Sequence, residues 1–528
     1  MKKKALSRWI IAGTLLAAGA CSPVNDGALG ATDNFSQSDR TLAFGFEVIK
    51  DRYLTDVTMA DVAFGGMQGL STVDPAVTVT RPDPQHIQLS YHDKALGNFA
   101  APAADDADGW ADLVAQLAQL ASTQSPELRK AGVEGMRQAV FDTTLAKLDM
   151  FSRYANPNEA REHRAARNGF GGIGIRCEPK DDAFALTEVM PDTPAARANL
   201  HVGDRILAVD NHPVTGIGQD GIVNLLRGPV ASSVSLKLQQ AGTQEASVVS
   251  LRRSLIIPPT VTLTLKDGIA TIAISSFNQG TAHYVEEAVR QAKASPGFKG
   301  IELDLRGNPG GLLDQGIMVA DLFMDHGPIV TTKGRNAASL QSYDAKPGDI
   351  GEDVQLVVIV DGKSASAAEI VASALQDSGR AVVVGTNSYG KGTVQTVVRL
   401  PNEGEMTLTW SRYYSPAGYA LHGLGVMPTI CTANEKAEPA ALLAPIRAGH
   451  SAVPVDISTW RATKVDDVEQ RKQLRMACPA AKQGGLQLDA ELGRALLTDP
   501  ALYARALALT TPTATLSASA VPEVTTAH

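Results

Sequence analysis

The chain has 528 residues, 44% hydrophobic and 20% charged, a globular composition with length for two or three domains and sizeable cores. Its net charge of −8 falls to −12 once the four basic residues ahead of Cys21 are removed, which disfavours nucleic acid as a partner. The four cysteines lack metal-ligand spacing and His86 and His92 have no third ligand nearby, so neither a metal nor a cofactor is expected.

Residues 1–20 read as a signal peptide: Lys2 to Lys4 and Arg8 make a basic start, and Trp9 to Ala18 an apolar run too short to span a membrane once cleaved. Leu16-Ala-Ala-Gly-Ala-Cys21 resembles the lipobox of bacterial lipoproteins, which implies lipidation at Cys21 and a periplasm-facing anchor. Ser22, where aspartate would signal retention, favours the outer membrane. A soluble periplasmic or secreted form is the alternative. Residues 21–37 are a tether rich in Gly, Ser, Asp and Asn. In the N-terminal, mainly helical region 38–168, apolar spacing predicts helices over 38–54, 59–70, 109–122 and 126–147, with an irregular or β-containing piece at 75–108.

Gly171-Gly-Ile-Gly-Ile175 opens a strand with glycines, leaving successive backbone N–H groups to receive a terminal carboxylate while a new strand pairs alongside. Together with Val189-Met-Pro191, Thr193-Pro-Ala-Ala196 and Val202-Gly-Asp-Arg-Ile-Leu-Ala-Val209, this pattern resembles a PDZ domain, placed at 169–254. The resemblance implies that Gly172, Ile173, Gly174 and Ile175 bind a substrate tail. Asn199 stands where such domains have glycine, and asparagine tolerates the left-handed backbone needed there. Arg227, at the end of Leu225-Leu-Arg-Gly228, is the candidate sensor that couples an occupied tail site to the rest of the chain; a plain surface arginine is the alternative.

The catalytic domain is placed at 256–435, with strands at 261–265, 269–274 and 299–305 and an amphipathic helix at 281–293. The turn Asp304-Leu-Arg-Gly-Asn-Pro-Gly-Gly311 exposes backbone N–H groups. Gln355–Val360 is apolar from Leu356 onward and reads as a strand buried on both faces. Helical spacing resumes at Ala367, so Ser366 falls near a helix N-terminus, where free N–H groups and the helix dipole favour developing negative charge. A second apolar strand, 381–384, leads through Gly385-Thr-Asn-Ser-Tyr-Gly-Lys391-Gly392 to a third at 393–398. A lysine base must be neutral, so its pKa has to fall from about 10.4 to roughly 7, which needs desolvation or nearby positive charge. Positions 391, 393 and 395 share a strand face, so the Gln395 amide is positioned to hold the Lys391 amine.

Two other readings compete. Ser366-Ala-Ala-Glu369 fits a capping box. Gly385-x-x-x-x-Gly390-Lys391 resembles a phosphate-binding loop, but Gly392 replaces the magnesium-binding hydroxyl and strand-forming residues follow where a helix is required.

Ser364-Ala-Ser-Ala-Ala-Glu-Ile370, Ala374-Leu-Gln-Asp377 and Gly390-Lys-Gly-Thr-Val-Gln395 resemble the tail-specific, or C-terminal processing, serine proteases, a PDZ-containing family. The resemblance is dense from about 147 to 430. It implies a mixed α/β fold, with a PDZ domain and a crotonase/Clp-protease-like α/β catalytic domain between helical N-terminal and C-terminal regions. Ser366 becomes the nucleophile, Lys391 the general base and Gln395 its support, with Ala367, Gly310 and Gly311 around the oxyanion. The implied function is a periplasmic serine endopeptidase acting on proteins or peptides with free, apolar C-termini; an adaptor lipoprotein that delivers them is left open. The rival reading is a non-catalytic PDZ scaffold lipoprotein. Of the cysteines left after Cys21, Cys431 with Cys478 is the favoured pair in an oxidising compartment, the pairing with Cys177 staying open. Residues 436–509 read as helical, over 459–477 and 485–508, and 510–528 as a disordered tail.

Overall fold

The computed structural model describes residues 40–481 and 486–510. The signal peptide, the tether, Cys21 and all but the first residue of the expected tail lie outside the described residues.

Helices Arg40–Arg52, Met59–Met67, Ala107–Gln124 and Pro126–Leu148 wrap a core of Leu42, Phe46, Trp110, Leu117 and Phe141. The segment expected to be irregular or β-containing is a three-stranded antiparallel sheet, Val77–Asp83, His86–Tyr91 and Lys94–Ala100. Ser125 starts the last helix: its hydroxyl accepts from Leu128 N–H at 3.0 Å and donates to the Asp74 carboxylate at 2.6 Å, while Pro126 occupies the first turn, where its missing donor costs nothing. This core runs on into Leu400, Met406 and Leu408, so the N-terminal region and the catalytic domain share buried surface.

The PDZ sheet follows the spatial order Ala246–Arg252, Ser233–Gln239, Arg205–Val209, Ala183–Val189, Ile175–Lys180. Ile175–Lys180 therefore has one free edge, facing the helix Gln219–Leu226 across a groove. Asn199 adopts the left-handed backbone expected of it, with φ 54°. Phe170–Gly172 pairs with Ser254–Ile256, a two-stranded neck leading into the catalytic domain.

The catalytic sheet runs Val261–Lys266, Ile269–Ile274, Gly300–Asp304, Gln355–Val360, Val382–Gly385, Ile430–Cys431, antiparallel at the first pair and parallel thereafter. Gln355–Val360 shows why an all-apolar strand was needed. Leu356, Val358 and Val360 pack with Val371 and Leu375 on one side, while Val357 and Ile359 pack with Leu443, Ile446 and Leu492 on the other. The second layer comes from the C-terminal helices Pro439–Arg447, Leu486–Thr498 and Pro500–Ala508. A second sheet, Gln341–Asp344, Pro328–Lys333, Glu405–Tyr414, Thr393–Arg399, also accepts Arg153–Ala155 from the far end of the chain.

Two expected helices are split. Over 459–477 the chain forms Ile457–Ala462 and Val468–Arg475, the second started by the Asp467 carboxylate accepting from Gln470 N–H. The 485–508 helix breaks at Pro500, which cannot donate to the preceding turn, and Asp499 caps the new helix through Leu502 N–H at 3.1 Å.

Candidate active site

Ser366 stands between the strand Gln355–Val360 and the helix Ala367–Asp377, with φ 56° and ψ −116°. Left-handed φ is uncommon for a non-glycine residue and costs on the order of 1–3 kcal/mol. Surrounding contacts hold it. The Asp361 carboxylate accepts from Lys363 N–H and Ser364 N–H, Ser364 Oγ donates to Leu305 O at 2.8 Å, and Ala365 N–H donates to Asn308 O at 2.9 Å. The resulting turn lays Ser366, only 7% exposed, against the glycine turn.

That contact is intimate. A Cβ on Gly310 would come 2.7 Å from Ser366 Cβ and 3.0 Å from Ala367 N, so only glycine fits, and its φ of 96° favours glycine independently. Among the described residues, neither Ala367 N–H nor Gly311 N–H meets a protein acceptor. Gly310 differs from expectation: its N–H donates to Asn308 Oδ1 at 2.8 Å, because the Asn308 side chain folds back over the turn. Gly310 gives the serine room, and the two unengaged donors are those of Ala367 and Gly311.

Lys391 leads into the strand Thr393–Arg399, and its amine lies over the Phe151 ring, 5.3 Å from the centroid. Burial pushes its pKa down, Arg153 pushes it further, and Glu369 and Asp149 pull it back. The direction is the one a neutral base requires. Thr393 and Gln395 share a face as expected, but the Gln395 amide donates to Thr393 Oγ1 at 2.8 Å and reaches Thr409 Oγ1 at 3.4 Å, making no hydrogen bond to Lys391. The strand pairing shifts register between Val394 and Gln395, which ties this amide to the neighbouring strand.

Several residues at the site escaped the sequence. Glu369 is fully buried, and its carboxylate accepts from Ser366 N–H (2.8 Å), Lys391 N–H (2.9 Å), Gly390 N–H (2.6 Å) and Ser388 Oγ (2.5 Å). Burial pushes its pKa up, and these donors together with Arg475 oppose that rise. The spacing Ser-x-x-Glu was the available signal, but read as a capping box it put the Ser366 hydroxyl on the third amide of the helix and gave no hint of Lys391, Gly390 or Ser388. Tyr413 faces the Ser366 side chain; burial raises its phenol pKa and the serine counters. Phe151, Arg153 and Asp149 arrive from the other side of the PDZ domain, and no local spacing links them to Lys391.

In the PDZ groove, a cavity of about 680 Å³ is lined by Gly172, Ile173, Gly174, Ile175, Val223 and Arg227. Ile173 N–H and Gly174 N–H meet no protein acceptor among the described residues, whereas the Ile173 and Gly174 carbonyls are engaged by Ala195 and Met190. Further along, the Gln219 amide donates to Cys177 O at 2.9 Å and bridges the groove. Arg227 stacks on Phe170 at 4.2 Å and its Nη1 donates to both Glu162 carboxylate oxygens at 2.8 Å. Glu162 belongs to the helix Pro157–Asn168, whose Arg164 and Arg167 bond the buried Glu405 carboxylate in the strand that also carries Tyr413.

Cys431, paired with Gly385 at the start of the loop that leads to Lys391, forms a disulfide with Cys478, the favoured pairing, and Cys177 is a buried free thiol. Among the described residues no group of His, Cys, Asp or Glu is arranged to hold a metal ion, and no helix is long and apolar enough to cross a membrane.

This fold and site define a PDZ-bearing serine-type peptidase of mixed α/β class. Residues 268–432 match Peptidase family S41 and residues 161–239 match the PDZ domain. A carboxy-terminal-processing protease of Bartonella bacilliformis is 36% identical over 290 residues, 54% of this chain and 67% of the relative. A probable CtpA-like serine protease of Staphylococcus aureus (strain N315) is 31% identical over 309 residues, 58% of this chain and 60% of the relative. The chain thus spans about two thirds of the length of the curated relatives it matches. Among solved structures, a photosystem II D1 C-terminal processing protease is 28% identical with a TM-score of 0.33, covering 60% of this chain and 85% of the other. The PDZ domain of a carboxy-terminal protease from Vibrio cholerae, solved in complex with peptide, is 30% identical with a TM-score of 0.16, covering 17% of this chain and 97% of the other. The chain belongs to the carboxy-terminal-processing proteases of peptidase family S41.

Proposed function

We propose that the protein is a periplasmic serine endopeptidase that captures free C-terminal tails in its PDZ groove and cleaves the attached chain through a Ser366–Lys391 dyad. The observation that carries this reading is the strained Ser366, packed on Gly310 beside the unengaged Ala367 and Gly311 N–H groups, with Lys391 in an apolar setting that lowers its pKa. Neutral Lys391 takes the Ser366 proton as Oγ attacks the scissile carbonyl carbon. The tetrahedral oxyanion forms against Ala367 and Gly311 N–H, and the lysine ammonium returns its proton to the leaving amine. Water, deprotonated by the neutral Lys391 amine, then attacks the acyl carbon, and the ammonium returns that proton to Ser366 Oγ as the ester bond breaks.

The tail carboxylate meets Ile173 and Gly174 N–H, and the tail adds as a strand to the free edge of Ile175–Lys180. The apolar lining by Ile173, Ile175 and Val223 suits an apolar last residue. Coupling to catalysis runs from Arg227 through Glu162 and the helix Pro157–Asn168 to Glu405 and its strand. A periplasmic location rests on the basic, apolar and small-residue pattern ahead of Cys21, and a lipid anchor on Leu16–Cys21; loss of labelled fatty acid from Cys21→Ser tests the anchor.

The deciding experiment incubates the protein, beside Ser366→Ala and Lys391→Ala, with an unfolded substrate ending in Ala-Ala and with its C-terminally amidated twin. Cleavage by the intact enzyme alone, slower on the amidated twin, supports both dyad and tail capture. Equal cleavage of the twins removes tail capture, and tail binding without cleavage by any form points to a scaffold or to an enzyme awaiting its activator.

A further inference from the structure

Catalytic loops are normally held by the domain that carries them, but here a segment beyond the family match reaches back over both. The helix Val468–Arg475 and its extension to Ala481 follow the catalytic sheet in sequence. Arg475 Nη2 donates to Ser388 O at 2.9 Å and Nη1 to Leu424 O at 2.5 Å, while the Arg475 carbonyl accepts from Asn387 Nδ2 at 3.1 Å. Ser388 and Asn387 belong to the loop that ends in Lys391. The fit leaves no slack: a Cβ on Gly425 would come 2.9 Å from Arg475 Nη1, and one on Gly390 3.3 Å from it.

Beyond the helix the chain touches the serine side as well. Ala481 N–H donates to Thr386 Oγ1 at 3.2 Å, and Gly362 N–H, in the turn that leads to Ser366, donates to Ala481 O at 2.8 Å. Both ends of this strap are fixed. Arg471, only 3% exposed, donates to the carbonyls of Ala420, His422, Thr463 and Lys464, and the Cys431–Cys478 disulfide fastens the strap to the edge strand of the catalytic sheet.

We infer that residues 468–481 are a positioning strap for the Ser–Lys site and that Arg475 is its positioning residue, holding the Ser388–Gly390 backbone where it can present Lys391 and close on Glu369. The inference rests on the Ser366–Lys391 reading above. Arg475 touches no reacting atom. It acts through two carbonyl contacts that only a forked guanidinium at the end of this helix can make together.

The test compares the full chain with Arg475→Gln, Arg475→Lys and Lys391→Ala on the unfolded Ala-Ala-ending substrate, with hydrogen exchange read by peptide in parallel. Loss of charged hydrogen bonds that hold a catalytic loop predicts that Arg475→Gln lowers kcat by roughly 10- to 100-fold with little change in KM. Arg475→Lys recovers part of that loss, because one ammonium can serve one carbonyl well. Exchange rises over 386–392 and stays unchanged over 355–360. Wild-type kcat in Arg475→Gln overturns the proposal, as does a loss accompanied by faster exchange over 355–360, which marks general destabilisation. If Lys391→Ala retains activity, the dyad reading fails and the strap's role with it; an inactive Lys391→Ala beside a fully active Arg475→Gln sinks the strap alone.

Discussion

Glu369 offers the sharpest test of how the site is held together, and Glu369→Gln changes it by a single atom type. In the native site Oε1 accepts from Gly390 N–H and Ser388 Oγ, and Oε2 from Ser366 N–H and Lys391 N–H. A glutamine keeps one oxygen and replaces the other with a donor; with its NH2 turned to Ser388 Oγ and Gly390 N–H, the hydroxyl can accept but Gly390 N–H is left unsatisfied in a fully buried place. An unsatisfied buried donor costs about 1–3 kcal/mol, so the substitution should lower unfolding stability by roughly that amount. The electrostatic consequence has a definite sign. Glu369 raises the Lys391 pKa, so its neutralisation lets that pKa fall further and moves the acid limb of residual activity to lower pH. Denaturant unfolding of Ser366→Ala, with and without Glu369→Gln, reads the stability change without self-cleavage, and a pH series of kcat/KM reads the limb. A stability change under about 0.5 kcal/mol, or a limb at the wild-type position, would refute the claim that this carboxylate ties nucleophile and base together.

Because Lys391 must lose its proton, wild-type kcat/KM rises with pH through a pKa below the ordinary lysine value, and a profile flat from about pH 5 to 9 contradicts the assignment. Lys391→Arg, which stays charged, should be as inactive as Lys391→Ala in the same assay. Gly310→Ala places a methyl 2.7 Å from Ser366 Cβ at φ 96°, and should lose most activity together with at least about 1–2 kcal/mol of stability, measured by thermal and denaturant unfolding. The Cys431–Cys478 bond closes a 47-residue separation, so the double serine variant should lose about 2–4 kcal/mol in unfolding under oxidising conditions and little more on adding reductant. Arg227→Ala should slow cleavage of a tail-bearing substrate more than it weakens tail binding by calorimetry, since its partners are Glu162 and Phe170.

What could be read in advance follows from what is local. The strand–turn–helix at Gln355–Asp377 is written in apolar run, turn and helical spacing, so Ser366 at a helix start was legible, as was Lys391 entering a strand. The backbone strain at Ser366 was not, because it is imposed by Asp361, Asn308 and Glu369 after folding. Gln395 was placed on the right face, yet its partner is decided by Thr409 on the next strand. Gly310 looked like a donor because glycine turns expose N–H groups; Asn308, two residues earlier, takes that donor. The C-terminal region was visible as helical, but the breaks in its two expected helices, the separate helix Pro439–Arg447 and the task of covering Val357 and Ile359 needed the sheet to be seen from its other side. Arg475 had no local signature at all.

The pairing of Arg153–Ala155 with Glu405–Thr407 has a consequence for when the enzyme comes alive. A chain made from its N-terminus carries Phe151 and Arg153 first, Ser366 and Lys391 much later, and Cys478 later still. Sequence-distant pairings cannot form until the second partner has emerged. Strand, dyad and strap therefore meet only once synthesis has passed residue 481. Each molecule passes through its own synthesis without a finished blade.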